Sequence, residues 1–152
     1  MQGLVVYDSV YGNTEDVAIA IADEIKELGH HAELWVLKEC GIPKKIDADF
    51  LFVGSPTRIH NMTRRAKKFI KELDPKGLGS RPILFFDTEF ESVIAANGHS
   101  AAQRMHDLAK LRGLNAKEPV LKCGIVESQG PLSPDALDKA RRYVRDFIGT
   151  LS

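Results

Sequence analysis

Residues 5–21 read VVYDSVYGNTEDVAIAI, an apolar strand that runs through a short hydroxyl-bearing loop directly into an amphipathic helix. That order of elements is the layout of a phosphate cradle, because backbone N–H groups at a helix start face outward and carry partial positive charge. No Lys or Arg stands between Asp8 and Asp16. An anion held there must therefore be bound by the N–H groups of Ser9, Val10, Tyr11, Gly12, Asn13 and Thr14, by the hydroxyls of Ser9 and Thr14, and by the helix dipole. A Walker-type loop is excluded, since the Gly-Lys-Ser/Thr ending is missing. The plainer alternative is an ordinary strand-to-helix turn closed by a Ser/Thr cap.

Outward from this segment the chain alternates. Strand-like runs occur at 4–7, 32–37, 50–54, 83–87 and 120–126, each short and bounded by charge or turn residues. Helical spacing places Val17, Ala18, Ile21, Ile25 and Leu28 on one face, with Gly29 as C-cap. A second helix buries Met62, Ala66, Phe69, Ile70 and Leu73 and closes at Pro75 and Gly77. A third starts near His99 or Ser100 and buries Ala101, Met105, Leu108 and Ala109 before Gly113. The last, opened by Ser133-Pro134-Asp135, buries Leu137, Ala140, Val144, Phe147 and Leu151. Strands alternating with helices predict right-handed crossovers and an α/β fold, a parallel sheet covered on both faces. Five strands fit the doubly wound order 2-1-3-4-5, which puts a ligand at the loops after strands 1, 3 and 4.

With 152 residues, 43% of them hydrophobic, the chain suits one domain over 1–152. No window approaches a membrane span, and no signal-peptide pattern opens the chain, so a cytoplasmic protein is expected. Cys40 and Cys123 are too far apart in sequence for a zinc site or disulfide framework and read as reduced, buried structural thiols. His30 and His31 fall where a protonated ring suits a helix C-terminus, Glu15 and Asp16 where carboxylates suit a helix start. Ser9 has no G-x-S-x-G elbow, which argues against nucleophilic catalysis. Net charge is zero, yet Arg58, Arg64, Arg65, Lys67, Lys68 and Lys71 form a run without an acid. It reads either as a solvated helix face or as a rim for an anionic partner. Without interleaved aromatics it does not suggest nucleic acid.

Val5, Val6, Tyr7, Ser9, Gly12, Thr14, Ala18 and Ile21 match the signature of the flavodoxin family, which the chain resembles over nearly its whole length. The length is similar to that of a short-chain flavodoxin. The resemblance implies a flavodoxin-like fold that binds FMN noncovalently, phosphate on the loop 9–14, and takes part in electron transfer. By that resemblance the second loop, Ser55-Pro56-Thr57-Arg58-Ile59-His60-Asn61, lies along the ribityl chain, with Thr57 and the following N–H groups at the ring's polar edge and Ile59 or His60 against a ring face. Thr88 and Glu89 would meet the pyrimidine side and Phe90 the second face. Asn97, Gly98 and His99 would bring helix N–H groups to the N1/O2 edge. Phe90 has a second reading as a plug for its loop, and His99 as a first-turn helix residue. The familiar ring aromatic is absent from the second loop, and Trp35 reads as a packing residue. Asp8 is expected to turn from the phosphate toward the loop backbone. The second loop has no glycine, so any peptide flip there needs Asn61 or another residue in a strained conformation.

The run Arg58 to Met62 also resembles the ring loop of flavodoxin-like NAD(P)H:quinone reductases, and the start of the chain that of the flavodoxin domain of flavodiiron proteins. The implied partner is a redox protein, or NAD(P)H and a quinone, with a homo-oligomer possible. Most flavodoxins are acidic, and this chain departs from that. A flavodoxin fold that serves as a binding module without flavin is the remaining alternative.

Overall fold

A computed structural model describes residues 1–96 and 99–151. Its elements run β1 (Gln2–Tyr7), α1 (Asn13–Glu27), β2 (His31–Val36), α2 (Leu37–Cys40), β3 (Phe50–Pro56), α3 (Arg64–Glu72), α4 (Pro75–Leu78), β4 (Ile83–Phe90), α5 (Glu91–Ala95), α6 (Ala101–Leu111), β5 (Leu121–Ile125) and α7 (Ala136–Gly149). All neighbouring strands pair parallel in the order β2-β1-β3-β4-β5, as the alternation predicted.

Period-2 alternation divides the side chains of each central strand between two cores. Leu4, Val6, Leu51, Val53, Ile83 and Phe85 face α3 and α6, where Phe69, Ile70 and Met105 meet them. Val5, Phe50, Phe52, Leu84 and Phe86 face α1 and α7, where Ile21, Ile25, Val144 and Phe147 complete the layer. Gly54 is required by this packing: a Cβ there would stand 2.2 Å from the Phe86 ring.

The structure departs from the sequence expectation where local signals compete with packing. β4 runs to Phe90, beyond the predicted end at Asp87, since Thr88, Glu89 and Phe90 continue the ladder against Cys123, Gly124 and Ile125. Three short helices, α2, α4 and α5, were not predicted. Pro75 opens α4 behind the Asp74 cap, a position proline tolerates, instead of merely ending the preceding helix. Leu28 and Leu151 are substantially exposed, contrary to the expected helix faces. His30 does not cap α1 with its ring; its Nδ1 lies 3.0 Å from the Met1 amine, and His31 opens β2. Cys123 is buried as expected, but Cys40 is exposed; both are free. Trp35 packs against the α3/α6 core and its indole donates to the Gly41 carbonyl at 2.6 Å.

Candidate functional site

The chain reverses its winding direction between β1 and β3, and a cleft opens at the C-terminal ends of these strands, the place where doubly wound sheets bind ligands. Val10, Tyr11, Asn13 and Thr14 line one side, Pro56, Thr57, Arg58 and Ile59 a second, and Thr88 and Phe90 a third. Ser128, in the loop after β5, supplies a wall that sequence reasoning missed. The signal was available: 127–131 is a polar turn following a strand, at the same sheet edge. Gly130 packs against the Asn13 side chain, so this loop braces the first one. Ser9, Gly12, Ser55, His60, Asn61, Glu89 and His99 do not line the cleft, and Gly98, with Asn97, lies outside the described residues. The cavity of about 200 Å³ is below the range of enclosing pockets, so a ligand lying here keeps one edge in solvent.

The first loop is shaped for an anion. Gly12 takes the left-handed conformation, φ 90°, and its N–H donates to Ser9 Oγ at 3.2 Å, which tightens the loop. α1 then begins with no side-chain cap. α3 and α6, by contrast, are capped by Thr63 and Ser100, which accept from Ala66 N–H and Gln103 N–H. Helix-start N–H groups therefore remain available at the cleft beside α1, and the loop 8–16 has no basic residue to share the anion. Thr14 is buried and its hydroxyl is 2.9 Å from that of Thr88. Whichever of the two accepts keeps its own proton to donate into the cleft. Asp8 turns away toward the backbone: it is 1% exposed, its Oδ1 accepts from Ser9 N–H at 3.1 Å, and its Oδ2 faces Arg65 at 3.8 Å.

The second loop is a tight turn in which Arg58 and Asn61 exchange backbone hydrogen bonds of 2.7 and 3.1 Å. Its central residues, Ile59 and His60, hold φ of 49° and 61°. Such a left-handed conformation costs a residue with a side chain roughly 1–2 kcal/mol. The geometry lifts Ile59 to 96% exposure at the cleft mouth. Thr57 is committed inward: its N–H donates to the Thr88 carbonyl at 2.8 Å and its hydroxyl accepts from Ala101 N–H at 3.1 Å. The start of α6 is likewise engaged within the protein, Ala102 N–H donating to Asp87 at 2.9 Å. Outward-facing donors in this corner are consequently scarce, while α1 keeps its own.

Two acids at the end of β4 are fully withdrawn from water. Asp87 is pushed up to about 6 by burial, against the Ala102 N–H, the Ser100 and Thr57 hydroxyls and Lys122, which favour its ionised form. Glu89 is pushed up to about 7, by burial first and then by the charge of Asp87, with Lys122 and Lys139 opposing. Among the described residues neither Glu89 oxygen has a hydrogen-bond partner. The six basic residues of the 58–71 run are all exposed, and only Arg65 and Lys68 have acidic partners within 4.0 Å among the described residues.

Residues 4–117 match the family model described as the flavodoxin domain. An uncharacterized protein of Methanocaldococcus jannaschii is 30% identical over 77 residues, which cover 48% of this chain and 20% of that protein. This chain therefore corresponds to only a small part of that relative. A flavodoxin from the domain Archaea superposes with a TM-score of 0.77 at 21% identity, over 99% of this chain and 98% of that one. Oxidised Flavodoxin 1 from Bacillus cereus does so with 0.76 at 17% identity, over the whole of both chains. These likenesses establish a shared fold.

Proposed function

The chain belongs to the flavodoxin domain family, and on that premise we propose that residues 1–152 act as one FMN-binding domain that carries electrons. The single observation that carries this reading is the uncapped start of α1 at the mouth of the switch-point cleft. Bound FMN supplies reversible uptake and release of electrons. The chain's contribution is to hold it. N–H groups of Val10, Tyr11, Asn13 and Thr14 donate to the phosphate, since those of Ser9 and Gly12 are engaged within the loop, with the Ser9 hydroxyl shaping the loop and the Thr14–Thr88 pair offering a proton. Pro56, Thr57, Arg58 and Ile59 on one side, and Thr88 and Phe90 on the other, flank the ring. Arg58 favours negative charge on it. Ile59 and Phe90, exposed in the cleft lining, are apolar surfaces that exclude water from a ring laid against them.

The shallow cleft favours a carrier over a quinone reductase, since a carrier needs an exposed ring edge and a reductase needs space above the ring for two substrates. The unpaired cations Arg58, Arg64, Lys67 and Lys71 suit a redox partner with an acidic face, in a protein with no membrane-crossing helix among the described residues. Titration of flavin-stripped protein with FMN, FAD and riboflavin, read by flavin fluorescence, tests the reading. Tight FMN binding that riboflavin does not match is the expected result; no binding of any flavin would leave a flavodoxin-fold module of another function. NAD(P)H oxidation with a benzoquinone should proceed no faster than with free FMN, and faster turnover would transfer the reading to a quinone reductase.

A further inference from the structure

Buried polar atoms in folded proteins nearly always have partners. Among the described residues five buried side-chain atoms lack one, and four of these belong to Asp87 Oδ1, Glu89 Oε1 and Oε2, and Ser133 Oγ. They gather in one corner. Asp87 and Glu89, two residues apart on β4, stand on the same face of the sheet. Opposite Glu89 in the ladder is Gly124, and a Cβ placed there would lie 2.4 Å from Ser133 Oγ and 3.1 Å from Glu91 Cγ. The Ser133 hydroxyl, 9% exposed, thus occupies the space that a side chain beside Glu89 would fill. The missing side chain at 124 is what admits it.

This corner adjoins the cleft. Thr88 and Phe90, on either side of Glu89, both line it. We propose that Glu89, buried beside Asp87, is an exchangeable proton site that takes up a proton when negative charge enters the cleft and releases it when that charge leaves. The inference rests on the FMN reading. Two buried carboxyls on one face of a strand cannot both ionise without loss, and a charge across one strand is felt strongly where water is excluded. The charged groups acting on Glu89 besides Asp87 are Lys122 from β5 and Lys139 from α7, and Glu91 of α5 packs at Gly124 opposite it, while the Ser100 hydroxyl that caps α6 and the Ala102 N–H within α6 are both directed at Asp87. His106 of α6 is turned to Asp107 and Glu118 instead. Lys139 donates to the Lys122 carbonyl at 2.6 Å, and among the described residues no cation is hydrogen-bonded to Glu89.

In the redox step an external donor, such as dithionite, is oxidised and passes two electrons to the flavin. The ring takes one proton from solvent and retains one negative charge, and the Glu89 carboxylate takes a second proton from solvent, so net charge at the site is conserved. The measurement is the pH dependence of the two-electron midpoint potential in wild type and Glu89→Gln, beside the carbon-13 titration of the Glu89 carboxyl in flavin-free, FMN-loaded and dithionite-reduced wild type. Above pH 7 wild type should take up two protons per two electrons and the variant one, and the carboxyl should titrate at higher pH in the reduced protein than in the oxidised. A steep limb above pH 7 that persists in the variant belongs to the flavin and overturns the proposal, as does a carboxyl titration that ignores reduction. The wild-type titration decides the matter even where the variant fails to fold. If FMN does not bind, the electron-carrier reading and this proposal fall together; if it binds and the carboxyl does not respond, only the proposal falls.

Discussion

The ends of β1 and β4 each bury an acid beside the same cleft, Asp8 at 1% and Glu89 at 2% exposure, and the protein treats the two differently. Asp8 receives the Ser9 N–H and faces the Arg65 guanidinium. Among the described residues Glu89 receives neither a donor nor a contacting cation, and it is pushed up to about 7. Two acids equally withdrawn from water thus differ in the groups that the backbone and neighbouring helices bring to them. At β1 those donors leave the acid turned from an anion site. At β4 their absence leaves an acid able to exchange a proton near pH 7.

The largest expected effect breaks the comparison at β4. Glu89 binds more protons folded than unfolded between its ordinary range near 4.5 and about 7, so folding stability falls as pH rises through that window and the cost is complete above it. Glu89→Gln should gain on the order of 2 kcal/mol in flavin-free protein at pH 8 and almost nothing at pH 4, read by urea unfolding at both pH values. A variant equally stable to wild type at pH 8 would mean that Glu89 is answered by a partner after all.

A smaller effect tests the loop after β1. Gly12→Ala meets open space but an unfavourable φ of 90°, and should lose roughly 1 kcal/mol of stability while weakening FMN uptake about tenfold. Uptake unchanged at that position would detach the loop from the ligand. Asp8→Asn removes charge from the bond to Ser9 N–H and should cost about 1 kcal/mol at pH 7, with FMN affinity held within about threefold. Much tighter FMN binding by this variant would show that Asp8 faces the ligand. The smallest effect is that of Arg65→Ala, about 0.5 kcal/mol or less, because the pair is long and the guanidinium 57% exposed. A larger loss would place Arg65 closer to the role of an obligatory counter-ion.

Much of the architecture was legible locally. The strand-loop-helix reading of 5–21 is realised in β1 and α1, with Val17, Ala18, Ile21 and Ile25 buried. The start of the third helix near Ser100 was legible, its hydroxyl opening α6, but the cap reading of Ser133-Pro134-Asp135 was not realised, since Asp135 makes no side-chain cap bond to α7. Nor do the hydroxyls of the first loop form a cap, because Ser9 accepts from Gly12 and Thr14 turns to Thr88, 74 residues away. The basic run, the missing ring aromatic and the absence of glycine in 55–61 were visible as composition. Which residues absorb the resulting strain was not, since the turn at Ile59 and His60 is imposed by the paired backbone bonds of Arg58 and Asn61.

By itself the order of apolar runs and turns determined the alternating parallel architecture and the place of the first loop, because periodicity and turn chemistry are local properties of the chain. Only the tertiary structure decided that Ser128 closes the cleft, that β4 extends to Phe90, and that Glu89 is sealed opposite Gly124 beneath α5. Each of these depends on which distant strand lies alongside and in what register, and register is fixed by packing across the whole sheet, with no mark in the residues nearby.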